Sequence, residues 1–448
     1  MFLKYEALGF IERVPPEEIK PPWPVYYMPH RAIVTQNSSS PIRPVFDASA
    51  KSQTGKSLNE ALMAGPNLLP DLVSILMRFR RWPIALSGDI RMAFLNLYVH
   101  EYDRDFHRFL LYIDNKITIY RFNRLPFGNA SSPFILNATL KYHVNLFPPS
   151  RATAELNSNI YVDNLITGVD TVEEAEILYR ETCYILQSAN LPLDKWNSNT
   201  SLLNNIFKSQ NVSSVSCKYL GVEWDSHKDV ITFSLILPEY NKFTKRTLLS
   251  LVSSIFDPLG IISPFTLMGK MLFQRVWCLG PQQGWDDPLP LELTEIFQNW
   301  LATSHELKGF KINRVYFPQP WKTSVKNLEV ICFGDACPSG YGAVCYLRTR
   351  AADGRYLVAF CTSKTRVAPI KKMTLPRLEL LSSLLVARLV YFVKTSLMIP
   401  EAATTCYTDS SITLHWIKKG DPSNLKLFIS NEVFASFKKH SNVLILSV

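Results

Sequence analysis

Residues 84–90, IALSGDI, and residues 158–169, SNIYVDNLITGV, each carry an apolar strand-like run into an aspartate, and together they decide how the first half of the chain is read. Asp89 ends the first run and is followed five residues later by an aromatic, Phe94. A carboxylate at a strand end can reach a metal ion in a cleft. Asp163 stands between NIYV and LITGV with only Asp163 and Asn164 as the connection, so Asp-Asn is expected to form a two-residue hairpin turn with positive φ. Each position taken alone has a plainer explanation, because Asp-Asn suits a turn and an aspartate suits a strand end on backbone grounds.

Working outward, helical periodicity is expected over residues 68–82, 132–147 and 171–191, the last with Thr171 as N-cap and acids in the first turn. The first 60 residues carry turn punctuation around short apolar stretches and read as a surface-exposed lobe of strands and loops. Residues 244–277 and 285–307 read as a helical module, interrupted by proline and glycine at 257–260 and 280–284. FPQPWKTSVKN, residues 317–327, has little periodicity and is expected to be a linker. Three strands follow (328–336, 340–349, 355–364), then a long apolar helix (376–397), a strand (404–410) and a helix (411–419). That βββαβα order is the one a ribonuclease H-like fold requires.

A chain of 448 residues exceeds what one core serves, so two to four domains are expected. Hydrophobic residues at 47% and charged ones at 19% argue against bulk disorder. A net charge of +10 and a pI near 9.1 suit a polyanionic partner. The eight cysteines form no C-x-x-C pair and the histidines no cluster, so neither a zinc site nor a disulfide framework is indicated, and reduced thiols in an intracellular compartment are expected. No run is expected to span a membrane, which needs about 18 or more apolar residues.

The segments GDIRMAFLNLYV (88–99), YRFNRLPFGNASSPFILNATL (120–140) and NIYVDNLITGV (159–169) resemble, in order and spacing, motifs A, B and C of reverse transcriptases. YYMPHRAIV (26–34), residues 43–80, LPLDKWNSN (191–199), KYLGVEWD (218–225) and residues 253–277 resemble BEL/Pao-type long-terminal-repeat retrotransposon polymerases. The resemblance implies an α+β right-hand polymerase followed by a ribonuclease H-like α/β domain, with fingers and palm over 1–235, a helical thumb or connection over 236–325 and the ribonuclease H-like domain over 326–448. It implies that Asp89 and Asp163 bridge two Mg²⁺ or Mn²⁺ ions roughly 3.5–4 Å apart, with the carbonyl of Ile90 as a further ligand. It makes Phe94 a steric gate against a ribose 2′-OH and Arg43 a grip on the triphosphate. Phe127 and Gly128 of Leu-Pro-Phe-Gly would lie beside the incoming nucleotide, Lys195 would protonate the leaving pyrophosphate, and Tyr219, Leu220 and Gly221 would hold the primer end. Partners are then an RNA or DNA primer–template and deoxynucleoside triphosphates. One position departs from the family: its motif C has two aspartates, and the second is Asn164 here, which keeps a carbonyl ligand and loses a charge.

In the second half Asp335 closes a strand, Glu379 sits on the long helix and Asp409 follows the strand CYTD. Taken singly, Glu379 is most simply the exposed face of a helix and Asp409 a helix cap. GDACPSGYGAV (334–344), LPRLELLSSLLVARL (375–389) and CYTDSSITLHWI (406–417) resemble the ribonuclease H domain of the same family, which makes the three acids catalytic metal ligands. The family's fourth acid has no counterpart in the tail KKHSNVLILSV, where His440 is the only further ligand type, and the resemblance ends near residue 439. The chain is therefore expected to be a piece of a polyprotein, shortened at both ends, whose parent carries protease and integrase segments and assembles in cytoplasmic virus-like particles. Two functional readings follow: a polymerase with an RNA-strand nuclease, and a catalytically inactive remnant that still binds nucleic acid.

Overall fold

The computed structural model describes residues 1–34, 42–113, 115–207, 216–232, 240, 242–307, 309–419 and 444–447. The boundary expected between 235 and 236, and tail residues 438–443 with His440, lie outside the described residues. The chain forms two compact units: Met1–Pro70, Ser87–Leu165 and Glu176–Trp196 make the first, and Asp71–Leu86, Ile166–Ala175 and Asn197–Val448 the second.

In the first unit, strands Ile11–Arg13, Lys116–Phe122 and Arg108–Ile113 form an antiparallel sheet in that spatial order. Its core is aromatic, with Phe46, Phe109, Tyr120 and Phe122 buried and Phe46 edge-on to Phe109 and Phe122 at 5.1 and 4.9 Å. Such pairs contribute about 0.5–1.5 kcal/mol beyond their area. Within the first 60 residues the strands are Ile11–Arg13, His30–Val34 and Ile42–Phe46, but the stretch opens with a helix, Phe2–Ala7, whose six residues are too few to show a period. The strand Ile84–Ile90 belongs to a four-stranded sheet in the order Ile160–Tyr161, Asn164–Val169, Ile84–Ile90, Leu193–Ser198. Ahead of Ile160–Tyr161 the helix Arg151–Asn159 starts at a reciprocal Ser150/Thr153 cap and runs straight into the strand at Ile160.

The hairpin that follows differs from the Asp-Asn expectation. Tyr161 pairs with Asn164, so the turn residues are Val162 and Asp163, and Val162 takes the positive φ of 59°. Register, fixed by the buried strand Asn164–Val169, overrides the local preference of Asp-Asn and puts a β-branched residue where it is strained.

In the second unit, helices Lys245–Ser254, Ser263–Trp277 and Leu291–Thr303 close on a core of Leu248, Leu272, Phe297 and Trp300. A five-stranded sheet follows in the order Tyr356–Val367, Gly340–Arg350, Glu329–Cys337, Ala403–Thr408, Leu444–Ser447; the first three are antiparallel and the last two add in parallel. The expected βββαβα order is present, and Leu444–Ser447 adds a strand that the tail did not suggest. The helix Leu375–Leu397 packs on this sheet. Thr374 and Pro376 start it, and Met398 stops it at φ 55°, with Ile399 N donating to Lys394 O before Pro400. At 23 residues it is long and apolar enough to cross a membrane by length and composition, contrary to the sequence expectation, but its apolar residues are mostly buried in the core of this unit.

Two further expectations give way here. Residues 317–327 are no linker: Phe317 and Trp321 are buried in the main core of this unit, and Asp170 accepts from the amides of Trp321 and Lys322. Prolines hide the packing because they erase periodicity without preventing burial. The thiols are not all reduced, since Cys332 and Cys345 form a disulfide. Their 13-residue separation carries no signal in sequence, but hairpin register sets them directly opposite, 4.3 Å apart at Cα.

Candidate functional site

In the first unit Ile90 N donates to Asp163 O at 2.7 Å, which fixes the strand end carrying Asp89 beside the turn carrying Asp163. The carboxyl of Asp163 is raised above its ordinary range by burial and by the charge of Asp89, against weaker pulls that include Lys195 and Asn164. Lys195 Nζ donates to Asp89 Oδ2 at 3.0 Å and supplies an internal counter-charge. Its backbone has φ 51° within the strand Leu193–Ser198 and its amide binds Asp194 Oδ1. Asn164 Nδ2 donates to Asp163 Oδ1 at 2.8 Å, so its carbonyl oxygen is left for another partner. Met92, Val162 and Lys195 all take positive φ: Met92 three residues after Asp89, Val162 next to Asp163 and Lys195 bonded to Asp89. Backbone strain of this kind, on the order of 1–3 kcal/mol per residue, persists where surrounding structure over-determines it. The acid pair and the ammonium beside it fit a centre that takes cations: Lys195 already stands where one would sit next to Asp89.

Phe94 lies on the short 3₁₀ turn Phe94–Asn96, buried, with its ring 4.8 Å from that of Phe127, whose own ring is half exposed. Gly128 has φ 100°, and a Cβ there would stand 2.7 Å from Phe46 O, so only glycine fits. Arg43 is exposed on the strand Ile42–Phe46, paired in register with Ile33. Tyr219, Leu220 and Gly221 belong to the second unit. There Leu220 and Gly221, at φ 48° and 83°, make the two-residue turn between strands Ser216–Tyr219 and Val222–Asp225, and Tyr219 is buried against Trp224.

The second centre is Asp335, Glu379 and Asp409, whose ligand oxygens all lie within 4.8 Å of one another. Gly334 makes this convergence possible. A Cβ there would meet Val386 Cγ2 at 2.6 Å and Ser382 Oγ at 2.7 Å, so glycine lets the long helix close on the strand that ends in Asp335. Asp409 arrives through parallel pairing, two residues beyond the Phe333–Tyr407 pair as Asp335 is. It is not the helix cap, because Ser410 Oγ accepts from Thr413 N. Nor is Glu379 on an exposed face: it is 6% exposed, and among the described residues its Oε2 has no hydrogen-bond partner. Burial, then the charges of Asp409 and Asp335, push its carboxyl up to about 7. An orphaned buried carboxylate oxygen aimed into an acid cluster is what a cation would satisfy, and hard oxygen donors suit Mg²⁺ or Mn²⁺. A cavity of about 550 Å³ with aromatic walls, including Phe333 and Tyr346, opens beside Asp335.

With these geometries established, comparison with known proteins adds the following. Residues 36–224 match the family model "Reverse transcriptase (RNA-dependent DNA polymerase)", and residues 244–410 match "Pao retrotransposon-like RNaseH-like domain". The second match begins in the three-helix module, ahead of the five-stranded sheet. No curated protein matches the sequence. Among solved structures, the foamy viral protease-reverse transcriptase dRH in complex with ds DNA is similar at TM-score 0.62 and 13% identity, over 99% of this chain and 68% of that one. The foamy viral protease-reverse transcriptase in complex with RNA/DNA hybrid is similar at TM-score 0.57 and 14% identity, over 100% of this chain and 52% of that one. At such identities the likeness concerns the fold: a mixed α+β chain with a reverse-transcriptase domain followed by a ribonuclease H-like domain.

Proposed function

From a chain that joins a reverse-transcriptase domain to a Pao retrotransposon-like ribonuclease H-like domain, we propose an RNA- and DNA-templated DNA polymerase with an RNA-strand nuclease. In this reading residues 1–235 act as fingers and palm, 236–325 as thumb or connection and 326–448 as the nuclease domain. The observation that carries it is the Ile90–Asp163 backbone bond, which holds the turn of Asp163 against the strand end of Asp89, close enough for the charge of Asp89 to raise the Asp163 carboxyl.

Asp89 and Asp163, with the carbonyl of Ile90, would hold divalent cations. Such ions, when bound, activate the primer hydroxyl and neutralise charge on the triphosphate. The remaining work belongs to the chain's own groups. Lys195, whose Nζ donates to Asp89 at 3.0 Å, would yield a proton to leaving pyrophosphate. Arg43 offers a guanidinium fork to phosphate oxygens. Phe94, braced on Phe127, forms a wall against a 2′-OH, and Gly128 lets the backbone come close to the nucleotide. Tyr219, Leu220 and Gly221 shape a hairpin for the primer end. Asp335, Glu379 and Asp409 would hold a cation against the scissile phosphate of the RNA strand.

One observation favours the alternative of an inactive nucleic-acid binder: the Asn164 amide spends a lone pair of Asp163 that a cation would use. Primer extension with Mg²⁺ and with Mn²⁺, run beside filter binding of the same primer–template, separates the two. Extension abolished by Asp89→Asn with binding retained supports the polymerase. Binding without extension in either metal supports the remnant.

A further inference from the structure

A second cavity in the second unit, of about 460 Å³, lies between the edge strand Tyr356–Val367 and the helix Leu375–Leu397. Lys364 and Arg366, two apart on that strand, project from the same face of the sheet, where their register partners are Ala343 and Tyr341. Arg388 comes from the helix, and buried Leu384 and Leu389 help make the apolar floor. None of the three cations forms an ion pair among the described residues. Among the described residues Asp71 is the one carboxylate of the lining, and its Oδ1 already accepts from the amide and hydroxyl of Ser74 as the N-cap of Leu72–Phe79.

Three positive charges around one concavity repel each other, and what relieves them is an anion. Glu379 pairs with none of them, and Arg388, nine residues further along the helix, is half a turn away from it in azimuth and about 13 Å along the axis. Two guanidinium forks and an ammonium match the several oxygens of a phosphate better than a single carboxylate, and the apolar floor suits the sugar or base attached to it.

We propose that this cavity, lined by none of the residues of either acid centre, is a phosphate-binding subsite that takes either a phosphodiester of a bound nucleic-acid strand or the phosphate of a free nucleotide. The strand source rests on the nucleic-acid role proposed above; the subsite itself does not.

The test uses the full chain, with Lys364→Gln, Arg366→Gln and Arg388→Gln combined, beside a control of equal charge change, Lys20→Gln, Lys141→Gln and Lys326→Gln. The probes are an RNA/DNA hybrid of about 20 base pairs, followed by anisotropy across a salt series, and ATP without metal, followed by calorimetry. If the source is a strand, the site variant binds the hybrid about tenfold more weakly than the control does, and its salt slope is shallower by about 0.9 per lost phosphate contact. If the source is a free nucleotide, ATP binds the parent saturably and the site variant not at all, while hybrid affinity matches the control. A parent that ignores the hybrid yet binds ATP through these residues refutes the nucleic-acid role and keeps the subsite. Site and control variants that behave alike toward both probes overturn the subsite, as does a polyglutamate peptide that outcompetes both. Should the triple variant fail to melt cooperatively, Lys364→Gln and Arg388→Gln singly are each expected to weaken the responding probe about threefold, and no change in either overturns the proposal.

Discussion

Asp163 in the first unit and Glu379 in the second are both carboxylates raised above their ordinary range by burial and by a neighbouring acid, yet their surroundings treat them differently. Around Asp163 the chain supplies its own compensation: the ammonium of Lys195 on Asp89 and the amide of Asn164 on Asp163 itself. Around Glu379 the described residues supply almost none beyond the backbone of Ala336, and among them Oε2 has no partner. Clustered acids can therefore be stabilised from within, at some cost in cation affinity, or left for an external cation to complete. The first centre leans to the former solution and the second to the latter.

The largest effect expected from this contrast is the independence of the two centres. Asp89→Asn should lower primer extension about a thousandfold, roughly 4 kcal/mol of transition-state stabilisation, and leave cleavage of an RNA/DNA hybrid within about twofold. Asp335→Asn should do the converse, so parallel assays in which either variant loses both activities would break the comparison.

The next effect is a pH dependence confined to the second centre. Burial and the neighbouring acids push the Glu379 carboxyl from its ordinary 4.5 up to about 7, so its protonated form is favoured by folding. The associated stability is fully present below about pH 4.5 and is lost as pH rises toward 7. Glu379→Gln should then raise stability at pH 8 by on the order of 1–2 kcal/mol, allowing for solvent screening, with no gain at pH 4. It should also erase the Mg²⁺-induced rise in melting temperature attributable to this centre. In the parent, cation affinity there should fall up to about tenfold per unit below pH 7, since binding must displace the proton. Thermal melts at the two pH values, with and without Mg²⁺, check the sign; a variant less stable than the parent at pH 8 contradicts it.

Asn164→Asp sharpens the comparison by making the first centre more like the second. It removes the amide bond to Asp163 and adds a third carboxylate, so the metal-free melting temperature should fall while Mg²⁺-dependent extension rises about tenfold, near 1.4 kcal/mol. Extension equal to or below that of the parent would falsify the reading of Asn164 as a weakened ligand.

The smallest expected effect is at Phe94. Phe94→Val should lower discrimination against ribonucleotides by a few fold and leave primer–template affinity nearly unchanged, because the ring acts sterically and contacts no phosphate. Competition between matched deoxy- and ribonucleoside triphosphates measures it. Undiminished preference for the deoxy form would remove Phe94 from the wall and leave it a core residue braced on Phe127.

Much of this was readable along the chain because it depends on local order. Apolar runs ending in Asp89 and Asp335 are strands in the structure, Thr171 does cap the helix Val172–Gln187, and the long helix starts and stops near the residues its pattern marks. Motif order placed the candidate acids on a reverse-transcriptase domain and a ribonuclease H-like domain, and the family matches cover those stretches. Period, capping and motif spacing all act over a few residues, so sequence alone records them.

Tertiary structure decided the rest, through contacts between segments far apart in the chain. Pairing register moved the turn from Asp163–Asn164 to Val162–Asp163, set Cys332 opposite Cys345, and brought Leu444–Ser447 alongside Ala403–Thr408. Close approach over Gly334 turned Glu379 from a residue on an apolar helix into a buried carboxylate with an unsatisfied oxygen. The same packing gathered Lys364, Arg366 and Arg388 around one cavity, though nothing in their spacing announces it. Burial, charge proximity and desolvation belong to the space a residue shares with distant neighbours. Pattern along a chain says which element a side chain rides on, and only the assembled fold says what it faces.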